Sequence, residues 1–270
     1  MIIRKPAVAG LFYPDNDEQL KQKLNFIFER DTFKMENKLN SKVGVILPHA
    51  GYVYSGKTTA KALKKASKFG CPNRIFLFGP DHKGLGSGIN IDDSDFWALP
   101  GLKFEVDKDT VLDMCRMLNI NPDRNGHFAE HSLEVQLPFL NYVFGNNFKI
   151  VPITFTHVDQ FELKLFLEAF KGIFNEGDFI VASTDLNHFE DQKTTIEKDK
   201  KIIEAIEEND PELLLETIKK NDISMCGYLP TYILLSMGLK NIEITHHTTS
   251  GEILNDFESV VGYLSAVLYD

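Results

Sequence analysis

The stretch Val43-Gly-Val-Ile-Leu-Pro-His-Ala-Gly-Tyr-Val-Tyr54 decides the reading of the fold. Five residues of buried-strand type stop abruptly at Pro48, and His49 and Gly51 follow at once. A short, continuous apolar run is the pattern of a strand covered on both faces. In open α/β sheets, ligands bind just beyond the carboxyl ends of the strands. His49 therefore stands where such a fold keeps its chemistry.

Outward from this stretch the arrangement recurs. Residues 74–78 (Arg-Ile-Phe-Leu-Phe) form a second apolar run that leads straight into Gly79-Pro-Asp-His82. Residues 148–155 read as a third strand. Residues 178–182 read as a fourth, followed by Ser183-Thr-Asp-Leu-Asn-His188. Between and around these runs, apolar positions recur at helical spacing. Leu20, Leu24, Ile27 and Phe28 predict a helix over 17–33. Further helices are predicted over 58–69, 109–118, 160–174, 195–207, 211–219 and 228–237. Asp210 and Pro211 are a favoured cap and first helical residue. Residues 130–143 carry an apolar set interrupted by Pro138, which predicts a helix kinked or ended there.

Residues 84–106, rich in Gly, Asp and Ser, predict a loop with edge strands. Strands are also expected over 241–245 and 259–269, and a polar link over 34–41. Residues 1–15 are loop-like, but 7–13 (Ala-Val-Ala-Gly-Leu-Phe-Tyr) are apolar enough to pack on the body. Strands alternating with helices from residue 43 onward predict an α/β fold. The expectation is a single domain, 1–270, with a central, mostly parallel or mixed sheet flanked by helices.

Bulk properties bound the function. The chain has 270 residues, 43% of them apolar and 25% charged, which is ordinary for a soluble globular protein. A formal net charge of −10 argues against a nucleic-acid partner, which needs clustered Lys and Arg. Three widely spaced cysteines, Cys71, Cys115 and Cys226, do not make a disulfide framework and point to a reducing, cytoplasmic setting. The N-terminus lacks the apolar core of a signal peptide. The longest late apolar run, 260–269, falls short of the ~20 residues of a membrane helix.

The chemistry-bearing residues sit at the strand ends. Pro48-His49, Asp81-His82 and Asp185-x-x-His188 each release a histidine beside a turn former. One loop histidine alone reads as a surface residue. Three at corresponding positions suggest one shared site, since neutral histidine binds metals and shuttles protons near pH 7. Glu130-His131-Ser132 adds a further candidate, with Glu130 either lining the same cleft or serving as a helix-start acid. Cys226, in Ser-Met-Cys-Gly-Tyr, precedes a predicted helix, where the helix dipole is expected to lower the thiol pKa. Its plainer reading is a small core residue. His127 lies in a polar stretch and is not a candidate. His246 and His247 are neighbours on an extended backbone, so they point to opposite sides and at most one can face a given site. Two His with a carboxylate form the facial triad of non-haem Fe(II), and two His with a thiolate suit Fe, Cu(I) or Zn.

Taken together and in order, several motifs resemble the MEMO family. They are Leu47-Pro-His-Ala-Gly-Tyr52, Gly79-Pro-Asp-His82, Glu130-His-Ser-Leu-Glu-Val-Gln-Leu-Pro138, Ser183-Thr-Asp-Leu-Asn-His188 and Met225-Cys-Gly-Tyr228. The opening Arg4-Lys-Pro-Ala-Val-Ala-Gly-Leu-Phe-Tyr-Pro14 and the closing Val261-Gly-Tyr-Leu-Ser-Ala266 belong to the same resemblance. It implies a LigB-like fold related to the class III extradiol dioxygenases, in which two His and a Glu hold Fe(II) and another His acts as acid and base. In the MEMO family the metal position has two His and a Cys. By motif, His49, His82 and Cys226 match the ligands, His188 matches the extra histidine, and Asp185 lies beside it. Eukaryotic members are associated with motility signalling and phosphotyrosine peptides.

The first functional expectation is a metal-dependent, dioxygenase-like oxidoreductase. Fe(II) is expected, with Cu or Zn as alternatives, on His49, His82 and Cys226. His188 would be the general acid/base, and Asp185 and Glu130 would orient the histidines. His131 and Tyr54 would line the pocket. The second is a zinc hydrolase built from the same residues. The third is a module that binds a peptide or partner on an enzyme-like fold. The expected ligand is a small molecule or a peptide, with neither nucleic acid nor membrane involved.

Overall fold

The computed structural model describes residues 1–33 and 37–270. The polar link expected over 34–41 therefore has residues 34–36 outside the described residues.

The chain opens with a two-residue strand, β1 (Ile3–Arg4), where only loop was expected. Helix α1 (Asp17–Ile27) is capped by the Asn16 side chain and buries Leu20, Leu24 and Ile27 as one stripe. It ends six residues short of the expected limit because Glu29 and Arg30 take positive φ. Phe33 packs instead against the Phe28 ring, 5.5 Å between centroids. Strand β2 (Val43–Leu47) is buried at every residue. Helix α2 (Tyr52–Ala66) follows Gly51 directly, six residues before the expected start, and closes in a 3₁₀ turn over Ser67–Phe69.

Next come β3 (Arg74–Pro80) and the short strands β4 (Ile89–Ile91), β5 (Phe96–Leu99) and β6 (Leu102–Glu105), as the 84–106 pattern implied. Helix α3 (Lys108–Leu118) and the single turn α4 (Asn125–Phe128) lead to a 3₁₀ turn over Glu134–Gln136. Helix α5 (Leu137–Phe144) carries Pro138 in its first turn, so the proline starts this helix rather than kinking a longer one. Strand β7 (Lys149–Phe155) precedes α6 (Gln160–Ile173), whose Asp159 and Glu162 form a reciprocal capping box.

Strand β8 (Asp178–Ser183) and the short β9 (His188–Glu190) lead into α7 (Gln192–Glu207), which starts three residues early because Asp191 caps it. Asp210 caps α8 (Pro211–Asn221), as expected. Helix α9 (Tyr228–Leu235) follows the Cys226 segment. Strand β10 (Asn241–Thr249) runs four residues beyond its expected end, and α10 (Ser250–Leu254) joins it to β11 (Val260–Tyr269).

The main sheet is mixed, in the order β10-β11-β2-β8-β3-β7-β4. Its centre, β2-β8-β3-β7, is parallel, and β11, β10 and β4 are antiparallel additions at the two sides. Residues of β2, β3 and β8 are buried in succession, so helices must cover both faces. A second, three-stranded sheet, β1-β5-β6, carries the N-terminus. Among the described residues no helix is long and apolar enough to cross a membrane.

This order sets the site. β2, β8 and β3 are neighbours, with Leu47 opposite Ser183 and Phe78 opposite Ala182. Their carboxyl ends therefore release His49, Asp185 and His82 side by side.

Candidate metal centre

His49 is 2% exposed, at the mouth of β2. Its backbone amide donates to Asp185 Oδ1 (2.9 Å), which closes the loop between neighbouring strand ends. Its ring Nδ1 lies 3.0 Å from Ser183 Oγ. The Ser183 hydroxyl donates to the Ser132 carbonyl (2.7 Å) and also accepts from Gln136 Nε2 (2.9 Å). With its proton committed, Ser183 Oγ can only accept from the ring, so Nδ1 carries the hydrogen. Nε2 is left as a lone pair, facing Cys226 Sγ at 3.2 Å.

His82 is fixed the same way by a different partner. Glu130 accepts its backbone amide at Oε2 (2.7 Å) and faces its ring Nδ1 at Oε1 (2.9 Å). Glu130 also accepts the amides of His131 and Ser132, each at 2.8 Å. Burial alone would push the Glu130 carboxyl up, but the His82 hydrogen bond and the neighbouring rings hold it down at about 2. A carboxylate at Oε1 makes Nδ1 of His82 the donor and leaves Nε2 open. Of the two readings of Glu130, the helix-start acid is set aside: it begins no helix, and it lines the cleft as an acceptor for the His82 loop.

Cys226 reaches the cluster because Gly227 permits it. A Cβ at Gly227 would stand 2.3 Å from the Ser183 carbonyl oxygen, so only glycine lets this segment lie against the end of β8. The Gly227 amide donates to Thr184 Oγ1 (2.9 Å). One ligand atom each from His49, His82 and Cys226 lies within 4.8 Å of the others, a spacing that could hold a metal ion. The expected lowering of the Cys226 pKa is corrected. Burial and the Asp185 charge push the thiol up, so without a cation it is protonated.

Two more histidines and a carboxyl complete the pocket. The His131 ring is 5.3 Å from His49, 4.6 Å from His82 and 4.6 Å from Phe12, centroid to centroid. Burial holds its pKa down at about 4. His82, Glu130 and His131 form a second group with metal-ligand spacing. There, however, the Glu130 oxygens are already spent on amides and on the His82 ring. His188 rests on the Ser224 loop: its amide donates to Ser224 Oγ and its Nδ1 to the Ser224 carbonyl, both at 2.8 Å. Burial lowers its pKa. Asp185 is buried, and burial raises its carboxyl to about 7. Asp185, expected to orient the histidines, acts on His49 through its backbone amide, while Ser183 holds the ring.

The other histidines serve elsewhere. His246 and His247 point apart as expected, to Thr58 Oγ1 (2.9 Å) and to buried Asp199 (2.8 Å). His127, read as a polar-loop residue, is buried, with its Nε2 2.8 Å from the Asn90 carbonyl.

Several residues of the site carried no role in the sequence reading. Ser132, Glu134 and Gln136 alternate with Leu133, Val135 and Leu137, and all six are buried. Three polar residues spaced through an apolar run were the available signal. Buried polar side chains need partners, and these find them in the site. Glu134 pairs with the buried Arg4 guanidinium and accepts the Ala7 amide (2.7 Å), the Val8 amide (3.1 Å) and the Tyr13 hydroxyl (2.6 Å). Arg4 also donates to the carbonyls of His127 and Glu130. The N-terminal segment is thus tied under the Glu130–His131 loop, and Phe12 becomes a wall of the pocket.

Known proteins agree with this architecture. The family model for Memo-like proteins matches residues 4–267. A MEMO1 family protein of Thermotoga neapolitana is 40% identical, covering 99% of this chain and all of the relative. One from Thermotoga maritima is 41% identical, covering 98% of this chain and 99% of the relative. One from Ignicoccus hospitalis is 36% identical over 97% of each. The crystal structure of an uncharacterized Escherichia coli K12 protein, JW3007, shares the fold at 13% identity, with a TM-score of 0.58, covering 84% of this chain and 99% of that one. With a family match across nearly its whole length and relatives of this identity, the chain belongs to the MEMO family.

Proposed function

We propose that the chain is a mononuclear metal enzyme in which His49, His82 and Cys226 hold the ion and act on a small substrate by dioxygenase-like redox chemistry. One observation carries this reading: three ligand atoms converge within 4.8 Å while both histidines have their Nδ1 atoms engaged elsewhere. Two open Nε2 lone pairs and one thiol, aimed at a common point, fit a cation. Two imidazoles and a thiolate suit iron, Cu(I) or zinc. A bound cation would also deprotonate the buried thiol.

When bound, iron or copper would supply the redox chemistry and zinc a water activated near neutral pH. The chain's own groups handle protons. His188 is neutral, and its Nδ1–H is committed to the Ser224 carbonyl, so Nε2 is the atom that takes a proton. Asp185, at about 7, can hold or release a proton at neutral pH. His131 and Phe12 form an aromatic wall beside the buried His49 ring, while the His82 ring stays partly open to solvent. The donor set also supports a zinc hydrolase, because two His and a Cys with an open position make a valid catalytic zinc site.

The test is anaerobic purification followed by elemental analysis for iron, copper and zinc together. About one metal per chain is expected, lost in His49→Ala, His82→Ala and Cys226→Ser. Unchanged metal in all three variants would overturn the assignment, and the metal recovered separates the redox reading from the hydrolytic one.

A further inference from the structure

The first turn of α2, directly after the His49 loop, also borders a separate cleft of about 420 Å³. Its walls come from α1, α2, β10 and α10. Four apolar side chains converge on it while remaining open to solvent: Phe26 at 67%, Val53 at 65%, and Tyr54 and Ile253 each at 38% exposed. Scattered exposed apolar residues need no explanation, but a concave group of them does.

The cleft is charged at one end. The ammonium groups of Lys23 and Lys57 lie 5.9 and 5.8 Å from the centroid of the Phe26 ring. Neither lysine enters an ion pair among the described residues. By contrast, Lys64 and Lys65, further along α2, are each paired with acids. Among the described residues no acid lines the cleft; Glu252, next to Ile253 in α10, is held by the Thr248 hydroxyl. His246, with its Nδ1 on Thr58 Oγ1, forms part of the wall. Two unpaired cations beside an apolar cleft, on a chain of net charge −10, select an anion with an apolar body.

We propose that this cleft binds a small amphiphilic carboxylate, with an aryl or short alkyl body against Phe26, Val53 and Ile253 and its carboxylate between Lys23 and Lys57. Isolated ammonium groups act as point charges and suit a monoanion, whereas a bidentate phosphate site would call for guanidinium. The volume lies in the range of small-ligand sites. The site is separate from the metal cluster and does not depend on a bound ion.

The probe is 2-naphthoate, titrated into the full-length protein by calorimetry, with 2-naphthylmethylamine as the charge-reversed comparison. Saturable one-to-one binding of the carboxylate is expected, with little binding of the amine. The double variant Lys23→Gln/Lys57→Gln should weaken binding roughly tenfold or more. Phe26→Ser should weaken it without removing either charge, and added salt should weaken it in the wild type. Cys226→Ser should bind as the wild type does, so a failure of the metal reading leaves this result standing. Equal binding of the amine, retention in the double lysine variant, no saturable binding, or loss in Cys226→Ser would each overturn the proposal.

Discussion

Glu130 grips His82 twice, taking its backbone amide on one carboxylate oxygen at 2.7 Å and its ring Nδ1 on the other at 2.9 Å. Ring orientation and tautomer are thus set by one side chain, which is itself pinned by the His131 and Ser132 amides. Glu130→Gln keeps the size but places an amide group where donors converge. Partners of this kind hold a ligand in its binding geometry, and their loss lowers metal affinity roughly 10–100-fold. Competition of the variant against a chromophoric chelator for Zn²⁺ measures this directly. Affinity equal to that of the wild type would show that His82 needs no such partner.

Asp185 makes the stability of the metal-free protein depend on pH. Its carboxyl is buried and titrates at about 7, against an ordinary value near 3.8. The folded state therefore holds the proton more tightly than the unfolded state does. This contribution is fully present below the ordinary value and is lost as pH rises through about 7. Asp185→Asn keeps an acceptor for the His49 amide and removes the titration. The variant should gain on the wild type between pH 4 and 8, by up to about 4 kcal/mol. Urea unfolding of both metal-free proteins across that range is the measurement, and a pH-independent difference would refute it.

The Arg4–Glu134 pair joins the first strand to the loop that carries His131. Both side chains are almost wholly buried. Removing one partner strands a buried charge, which costs about 3–5 kcal/mol. Arg4→Met should therefore destabilise the fold by that order in urea titrations. It should also speed amide exchange at Ala7 and Val8, whose amides donate to Glu134. Arg4→Met combined with Glu134→Gln should recover part of the loss, because the stranded charge is gone.

The sequence made the strand ends legible because doubly covered strands are unbroken apolar runs. His49, His82 and Asp185 each follow such a run, and the sheet order brings those ends together. Features set by distant contacts were not legible. Helix α2 starts on Gly51 without a side-chain cap, and the Tyr52 amide donates to the Phe12 carbonyl instead (2.8 Å). The depth of Cys226 is set by how Gly227 meets Ser183 and Thr184, not by the helix that follows. The hold of Ser183 on the His49 ring emerges only once β2 and β8 are paired.

Phe189 follows His188 at the rim of the site and is the extra residue of a β-bulge. Val260 pairs with Glu190 and Val261 with His188, so Phe189 has no partner between them. Its φ is +61°, the left-handed region, which is unfavourable for a bulky side chain. The ring gains little burial in return, being 76% exposed. Glycine adopts this backbone without the Cβ clash, and set against its greater loss of chain entropy Phe189→Gly should still stabilise the protein by about 1 kcal/mol or less. Phe189→Ala removes the same ring but keeps a Cβ, and should gain much less. Thermal melts of the two variants separate backbone strain from loss of the ring. If glycine and alanine behave alike, the bulge is unstrained, and the backbone at His188 is held by its pairing with Val261 and by the Ser224 hydrogen bonds without local cost.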